Sequence, residues 1–305
     1  MSTAPSTFCR SSVPVVEEHV ALSRFTTIGT GGPAHFFARP KTVAELQEVL
    51  AFAAGEGLPV AAIGLGSNLL VHDDGVDAVV VKLAGELAEA RIEDTTLVAG
   101  GGAPNAVCLH RAREAGLGGF EFASAIPGTV GGGVMMNAGA YGVEWRDVMV
   151  DAVVVDAVSV RRVPPAGLGL SYRHSGLAPG EVVAEVRFRL VPSALETVKA
   201  KAAELLARRK ATQPTNKRTF GSVFKNPDDG PGAGRLIEEC GLKGYAIGGA
   251  LISPRHANFI ENAGGATSAD CLALMAEARR RVHDATGIEL RHEVRFLGPL
   301  VLPSL

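Results

Sequence analysis

No apolar run in the chain approaches the ~18–20 residues that a membrane-crossing helix needs, so no membrane partner is expected. Charge of one sign is not in surplus. Thirty basic residues face 32 acidic ones, a net charge of −2, and that argues against a nucleic-acid scaffold held by a large positive field. Aromatic residues are scarce, at 5%. Val, Leu and Ala fill the deficit: 47% of residues are hydrophobic and 20% charged, which excludes a disordered chain. The four cysteines (Cys9, Cys108, Cys240, Cys271) show no CxxC spacing. With no signal peptide at the start they read as reduced cytosolic thiols, the last three as small buried hydrophobes. The eight histidines lack a paired ligand spacing, so no metal is expected. The expectation is a cytoplasmic monomer.

Glycine is in surplus: 37 residues without a collagen period, marking turns and places where backbone approaches a ligand. The 305 residues suit about two domains of ~100–150 residues. Residues 1–20, opening MSTAPSTFCRSSVP, read as a disordered lead-in.

Thr42 to Glu56 is the first clear helix. Thr42 and Glu45 form a capping box, and Val43, Leu46, Val49, Leu50 and Ala53 keep a helical period. Gly57 and Pro59 stop it. Strands are expected at Val60–Ile63, Asp77–Leu83 and Leu97–Ala99, with a helix from Pro104 to Ala115. Gly128 to Gly142 has no period. β character returns at Val148–Val160 and Glu181–Val191. Ser193 with Glu196 caps a long helix to about Arg209. Gly234–Gly241 and Ser268–Ala285 read as helices, and Ile288–Leu297 as a last strand. The irregular mixture is α+β rather than doubly wound. Boundaries are expected near Gly75 and Pro192, dividing the chain into 21–75, 76–192 and 193–305.

Gly64-Leu65-Gly66-Ser67-Asn68 directly follows a strand. Its glycines allow a tight fold that exposes successive N–H groups, and the Ser hydroxyl adds a donor, which suits a pyrophosphate. Alone it reads as well as a plain turn. A second loop, Ala125-Ile126-Pro127-Gly128-Thr129-Val130-Gly131-Gly132-Gly133, is followed by Met136-Asn137-Ala138-Gly139-Ala140-Tyr141-Gly142. A stretch so dense in small residues is costly in chain entropy, so something must lie against its backbone. A phosphate-bearing cofactor fits.

These loops resemble the flavin-binding segments of the UDP-N-acetylenolpyruvoylglucosamine reductase family. The likeness runs through Gly31-Gly32-Pro33-Ala34, Gly66-Ser67-Asn68, Ile126–Gly132, Asn137–Gly142, Tyr172-Arg173-His174-Ser175 and Gly221-Ser222-Val223-Phe224-Lys225-Asn226-Pro227. It continues through Ala233–Ile237, Ser253–Phe259 and Glu293-Val294-Arg295-Phe296-Leu297-Gly298, in family order over roughly residues 25–298. The short segment from Arg173 to Glu181 is similar to the family's second type, which lacks an inserted tyrosine-bearing loop. Arg291-His292 before Glu293 departs from the pattern.

The resemblance implies a two-part FAD-binding region of the PCMH/vanillyl-alcohol-oxidase type, then a C-terminal α+β substrate-binding domain. It implies non-covalent FAD, NADPH as co-substrate, and small-molecule substrates. Hydride from reduced flavin would go to the β-carbon of an enolpyruvyl ether and a proton to the α-carbon. Cofactor contacts would fall at Gly64, Leu65, Gly66, Ser67, Asn68, Leu69, Ala125, Ile126, Pro127, Gly128, Thr129, Gly132, Asn137, Gly139, Ala140 and Val183. Arg173 matches the catalytic arginine, and a bidentate guanidinium suits the carboxylate on which charge builds. Ser222 would be the proton donor. Glu293 would either donate a proton or position and polarise, its pKa raised by an apolar site. Tyr172, Arg209, Lys225, Asn226, His256 and Arg295 are the candidate substrate contacts; His256 reads equally as a satisfied core histidine. Two other readings compete: another oxidoreductase of the same flavin-binding fold, such as an alcohol or lactone oxidase, and a non-catalytic nucleotide-binding module.

Overall fold

The computed structural model describes residues 16–305. Cys9 and most of the expected lead-in lie outside the described residues. Residues 16–20 do not belong to a lead-in: Val16–Ala21 is strand β1, paired antiparallel with β2 (Pro33–Ala38). Helix α1 (Val43–Gly55) follows. Thr42 Oγ1 accepts the Glu45 N–H, one half of the expected capping box, while the Glu45 carboxylate takes the N–H of Lys41 rather than of Thr42. Then come β3 (Val60–Ala62), β4 (Leu69–Val71) and β5 (Val76–Val81). The first sheet has the order β1-β2-β5-β3. Strand β5 lies beyond the boundary expected at Gly75, yet it pairs in parallel with β2 and β3. A parallel neighbour arrives through a crossover, so adjacency in sequence misplaces the break.

The second region holds β6 (Ala90–Glu93), β7 (Thr96–Gly100), α2 (Asn105–Glu114), β8 (Leu117–Gly118) and α3 (Val130–Met135). A small hairpin, β9 (Gly139–Ala140) and β10 (Val143–Glu144), leads to α4 (Trp145–Val148). After it run β11 (Met149–Val155), β12 (Val160–Val163), β13 (Val182–Arg189), β14 (Val191–Pro192) and α5 (Leu195–Thr212). The antiparallel second sheet has the order β12-β11-β13-β7-β6. Helix α5 begins after Ala194 with no side-chain cap. Ser193, the expected cap, stands one residue before the cap position, with its N–H tied to the Gly116 carbonyl beside the β8–β14 pair. Leu205 of α5 lies in the core of the second region with Phe120, Trp145 and Phe188. The boundary expected at Pro192 therefore assigns this helix to the wrong core.

The third region contains β15 (Thr219–Ser222), α6 (Ala233–Glu239), β16 (Ala246–Ile247), β17 (Ala250–Ile252), β18 (Phe259–Asn262), α7 (Ser268–Thr286) and β19 (Arg295–Leu297). Its sheet runs β15-β18-β17-β16. The expected strand Ile288–Leu297 shrinks to β19, which pairs in parallel with β4 of the first region. Residues before it are drawn aside: Phe224 bridges His292, and the Lys225 N–H donates to the Arg291 carbonyl.

The α+β class stands. The three sheets share their cores. Val155, Val182 and Ala184 of the second sheet join α1 and β5, and Ile28 and Leu70 join the core beneath α7. Cys108 and Cys271 are fully buried, with thiols pushed up to about 12 by burial, while Cys240 is only partly buried.

Candidate active site

The two glycine loops face each other. The Ser67 hydroxyl donates to the Pro127 carbonyl at 2.8 Å, so it stitches the loops rather than offering a free donor. The backbone N–H groups of Leu65, Gly66, Ser67, Asn68, Gly128 and Thr129 find no acceptor among the described residues. Six unpaired donors on two apposed loops form an anion cradle, and this fits a dinucleotide pyrophosphate. The FAD expected there would be held by these groups. Gly64 passes so close to Thr129 Oγ1 that a Cβ would collide with it. Gly66 has φ of +67°, and a Cβ there would strike the Phe25 carbonyl. The chain at 25–26 by itself requires glycine there.

Two residues that brace these loops were missed in the sequence. Lys82 Nζ donates to the Gly64 carbonyl at 2.7 Å. Its pKa is lowered by burial and then by Arg39. A lone lysine ending the apolar run Val79-Val80-Val81 was the available signal. Asn105 Nδ2 donates to the Ile126 carbonyl at 3.0 Å, and its N–H donates to the Gly128 carbonyl. Asn105 Oδ1 is buried without a partner among the described residues, an acceptor left over beside the second loop.

Other expected cofactor residues serve the protein itself. Asn68 Nδ2 donates to the Glu293 carbonyl at 3.2 Å, and its own carbonyl accepts from the Arg295 N–H. Asn137 is fully buried with its amide engaged by protein groups. Gly132 lies in the first turn of α3 beside Thr129 Oγ1, and Gly133 lies against the Trp145 indole. Part of the glycine density thus serves helix packing. Leu65 is exposed; Leu69 packs in the first region and Val183 in the second. Ala125 ends a short 3-10 turn before the second loop, Ala140 lies in β9, and the Gly139 carbonyl accepts from the Arg173 guanidinium at 3.0 Å.

Arg173 and Glu293, 120 residues apart in the chain, meet as an ion pair, Nε to Oε1 at 3.1 Å, with both side chains mostly buried. Burial raises the Glu293 pKa, while Arg173 and then Lys225 pull it back. Arg173 also stacks its guanidinium over Tyr172 at 4.9 Å. The Val223 carbonyl accepts the Glu293 N–H at 2.8 Å, which sets Ser222 beside the pair. The Ser222 hydroxyl makes no hydrogen bond to another described residue. A Cβ on Gly221 would stand 3.1 Å from the Ser67 carbonyl, so β15 ends against the first glycine loop.

The remaining candidates scatter around this point. Asn226 Oδ1 accepts the Ala233 N–H at the start of α6. His256 packs against Gly234 and Phe259, with Nδ1 accepting the Asn258 N–H at 3.2 Å. Burial and then Lys243 lower its pKa, favouring the neutral ring with its proton on Nε2. Arg209 donates to Gln213 from α5, and Arg295 is exposed on β19. No group of metal-holding residues occurs among the described residues.

Residues 213–297 match the family model described as UDP-N-acetylenolpyruvoylglucosamine reductase, C-terminal domain, and residues 34–159 match the FAD binding domain. The UDP-N-acetylenolpyruvoylglucosamine reductase of Novosphingobium aromaticivorans is 45% identical over 271 residues, covering 88% of this chain and 91% of that protein. The chain belongs to the UDP-N-acetylenolpyruvoylglucosamine reductase family. The Acidiphilium cryptum reductase is 42% identical over 95% of this chain and 94% of its own length. The crystal structure of the Thermus caldophilus reductase superposes with a TM-score of 0.81 at 38% identity, covering 93% of this chain and 99% of that one. The FAD binding domain match runs across the first region and into the second, where the two-part flavin region was expected. The short connection from Arg173 into β13 agrees with the family's second type. The competing readings, another flavin oxidase or a bare nucleotide-binding module, leave the match over 213–297 unexplained. No described helix is long and apolar enough to cross a membrane.

Proposed function

We propose that this chain reduces UDP-N-acetylglucosamine enolpyruvate to UDP-N-acetylmuramate with NADPH, using Arg173, Glu293 and Ser222. The supporting observation is the Arg173–Glu293 pair, set beside Ser222 where the first glycine loop meets the third region. Non-covalent FAD, held by the N–H groups of the two glycine loops, would supply the two-electron chemistry between NADPH and the enolpyruvyl β-carbon. Arg173 holds the substrate carboxylate and counters the charge that builds on it, in a site where few waters screen the attraction. Glu293, its pKa raised by burial, donates a hydrogen bond to the same enolate system when protonated. Ser222, whose hydroxyl is uncommitted, gives its proton to the α-carbon. Tyr172, Lys225, Asn226, Arg209 and Arg295 line the approach for the nucleotide end, with neutral His256 offering an Nε2 proton to a phosphate oxygen.

Ser222→Ala tests this reading. The Ser222 hydroxyl makes no hydrogen bond to either glycine loop, so FAD content and NADPH-driven flavin reduction should stay near parent levels. Turnover should fall roughly 10²–10⁴-fold, the range for a lost positioned acid. In deuterated water the parent product should carry deuterium at the α-carbon. Near-parent turnover in Ser222→Ala would take the proton away from Ser222.

A further inference from the structure

We propose that Asn137 is a positioning residue that fixes Arg173 for the substrate step. This rests on the reading of Arg173 given above. Arg173 stands near the tip of a tight turn in which Ser171 and His174 exchange N–H···O=C bonds, both 3.1 Å. Its φ is +52°, a conformation that side chains rarely adopt unless the surroundings over-determine it. Five non-glycine residues among those described have positive φ, and two of them, Asn137 and Arg173, are joined through this turn.

Asn137 is the knot between the pieces. Its Nδ2 donates to the Ser171 carbonyl at 3.1 Å and to Glu144 Oε2 at 2.8 Å, and its Oδ1 accepts the Arg146 N–H at 3.1 Å. Both amide protons and the oxygen are therefore taken up within the protein. The Ser171 bond holds the base of the turn that carries Arg173. The Glu144 bond holds the strand of the hairpin opposite Gly139, whose carbonyl receives the Arg173 guanidinium. One buried amide thus fixes both the backbone of the arginine and the acceptor that aims its side chain. Asn137 makes no side-chain hydrogen bond to residues 64–68 or 125–129, so its loss should spare the flavin loops.

Two variants test this. Asn137→Asp keeps the shape and the acceptor but cannot donate. Asn137→Gly removes the side chain and relaxes the positive φ, so it should fold even if an aspartate beside Glu144 does not. Flavin content, NADPH-driven flavin reduction, calorimetric substrate binding to the oxidised enzyme, and the substrate step are measured for each. Flavin content and flavin reduction should match the parent. Substrate affinity and the substrate step should each worsen by roughly 10–100-fold, as for a misplaced orienting group. In an Arg173→Ala background, Asn137→Gly should add less than about twofold, because both changes remove one function. Loss of flavin would overturn the proposal, as would an undiminished effect in the Arg173→Ala background. A slow Arg173→Ala beside normal Asn137 variants would also overturn it while leaving the reading of Arg173 intact. A near-parent Arg173→Ala would instead remove that reading, and the proposal with it.

Discussion

Burial raises the Glu293 pKa above the ordinary glutamate value, and Arg173 with Lys225 reduces the rise without cancelling it. The linkage consequence has a definite sign. A carboxyl whose folded pKa is raised opposes folding when ionised, so stability falls as pH climbs from about 4.3, the ordinary glutamate value, through the higher folded value. Glu293→Gln fixes the neutral form. Its Tm relative to the parent should therefore rise as pH climbs from the ordinary glutamate value through the raised folded one, although turnover is lost. A Tm gap that moves the other way with pH would show that Glu293 is held ionised by Arg173. At Gly66 the structure changes the expected phenotype. A flavin loop needing only room for phosphate would give folded, colourless protein on Gly66→Val. With a Cβ driven into the Phe25 carbonyl at φ +67°, even Gly66→Ala should destabilise the apoprotein by about 1–3 kcal/mol. Chemical denaturation of flavin-free protein reads this directly, and an unshifted midpoint would return the glycine to a ligand role.

Among the elements, those written in local chemistry were legible. The Thr42–Glu45 box and the 3.6-residue period located α1, and Gly287 in the left-handed region closes α7 where the sequence placed its stop. Long-range pairing was not legible. Strand β5 joins β2 and β3 across a crossover, and β19 leaves an apparently continuous strand to pair with β4 in the first region. Helix α3 hid inside a glycine run because its glycines answer to neighbours: the Gly131 N–H bonds the Gly101 carbonyl at 2.7 Å, and Gly133 touches Trp145. The same limit applies to the site. Arg173, Ser222 and Glu293 were identifiable only as members of an ordered set of motifs. Their meeting depends on Asn68 and Val223 holding the Glu293 backbone, partners that no spacing announces.

For the molecule as a whole, the seam that builds the catalytic corner is also the seam that holds the third region to the first. Thr27 donates to the Thr219 carbonyl at 2.6 Å, Asn262 to the Ile28 carbonyl at 3.0 Å, and Ser268 to the buried Thr30 hydroxyl at 2.7 Å. Asp73 anchors the far end. Its two oxygens accept the N–H groups of Ser268 and Ala269 at 2.8 and 2.9 Å, in the first turn of α7. These donors have no partner within the helix, and the carboxylate also meets the positive end of the helix dipole. Asp73→Ala should cost about 0.5–2 kcal/mol, the range for losing such a cap. Asp73→Asn keeps an acceptor but loses the charge, so it should fall between parent and alanine, and its deficit should shrink as salt screens the dipole term. Because Ile28 and Leu70 are shared with the α7 core, unfolding should remain a single transition in the parent, and both variants should shift it as a whole. Calorimetry across a salt series measures this. An alanine variant as stable as the parent would remove Asp73 from the seam, and a parent melting in two separate steps would mean that the shared core does not couple the regions.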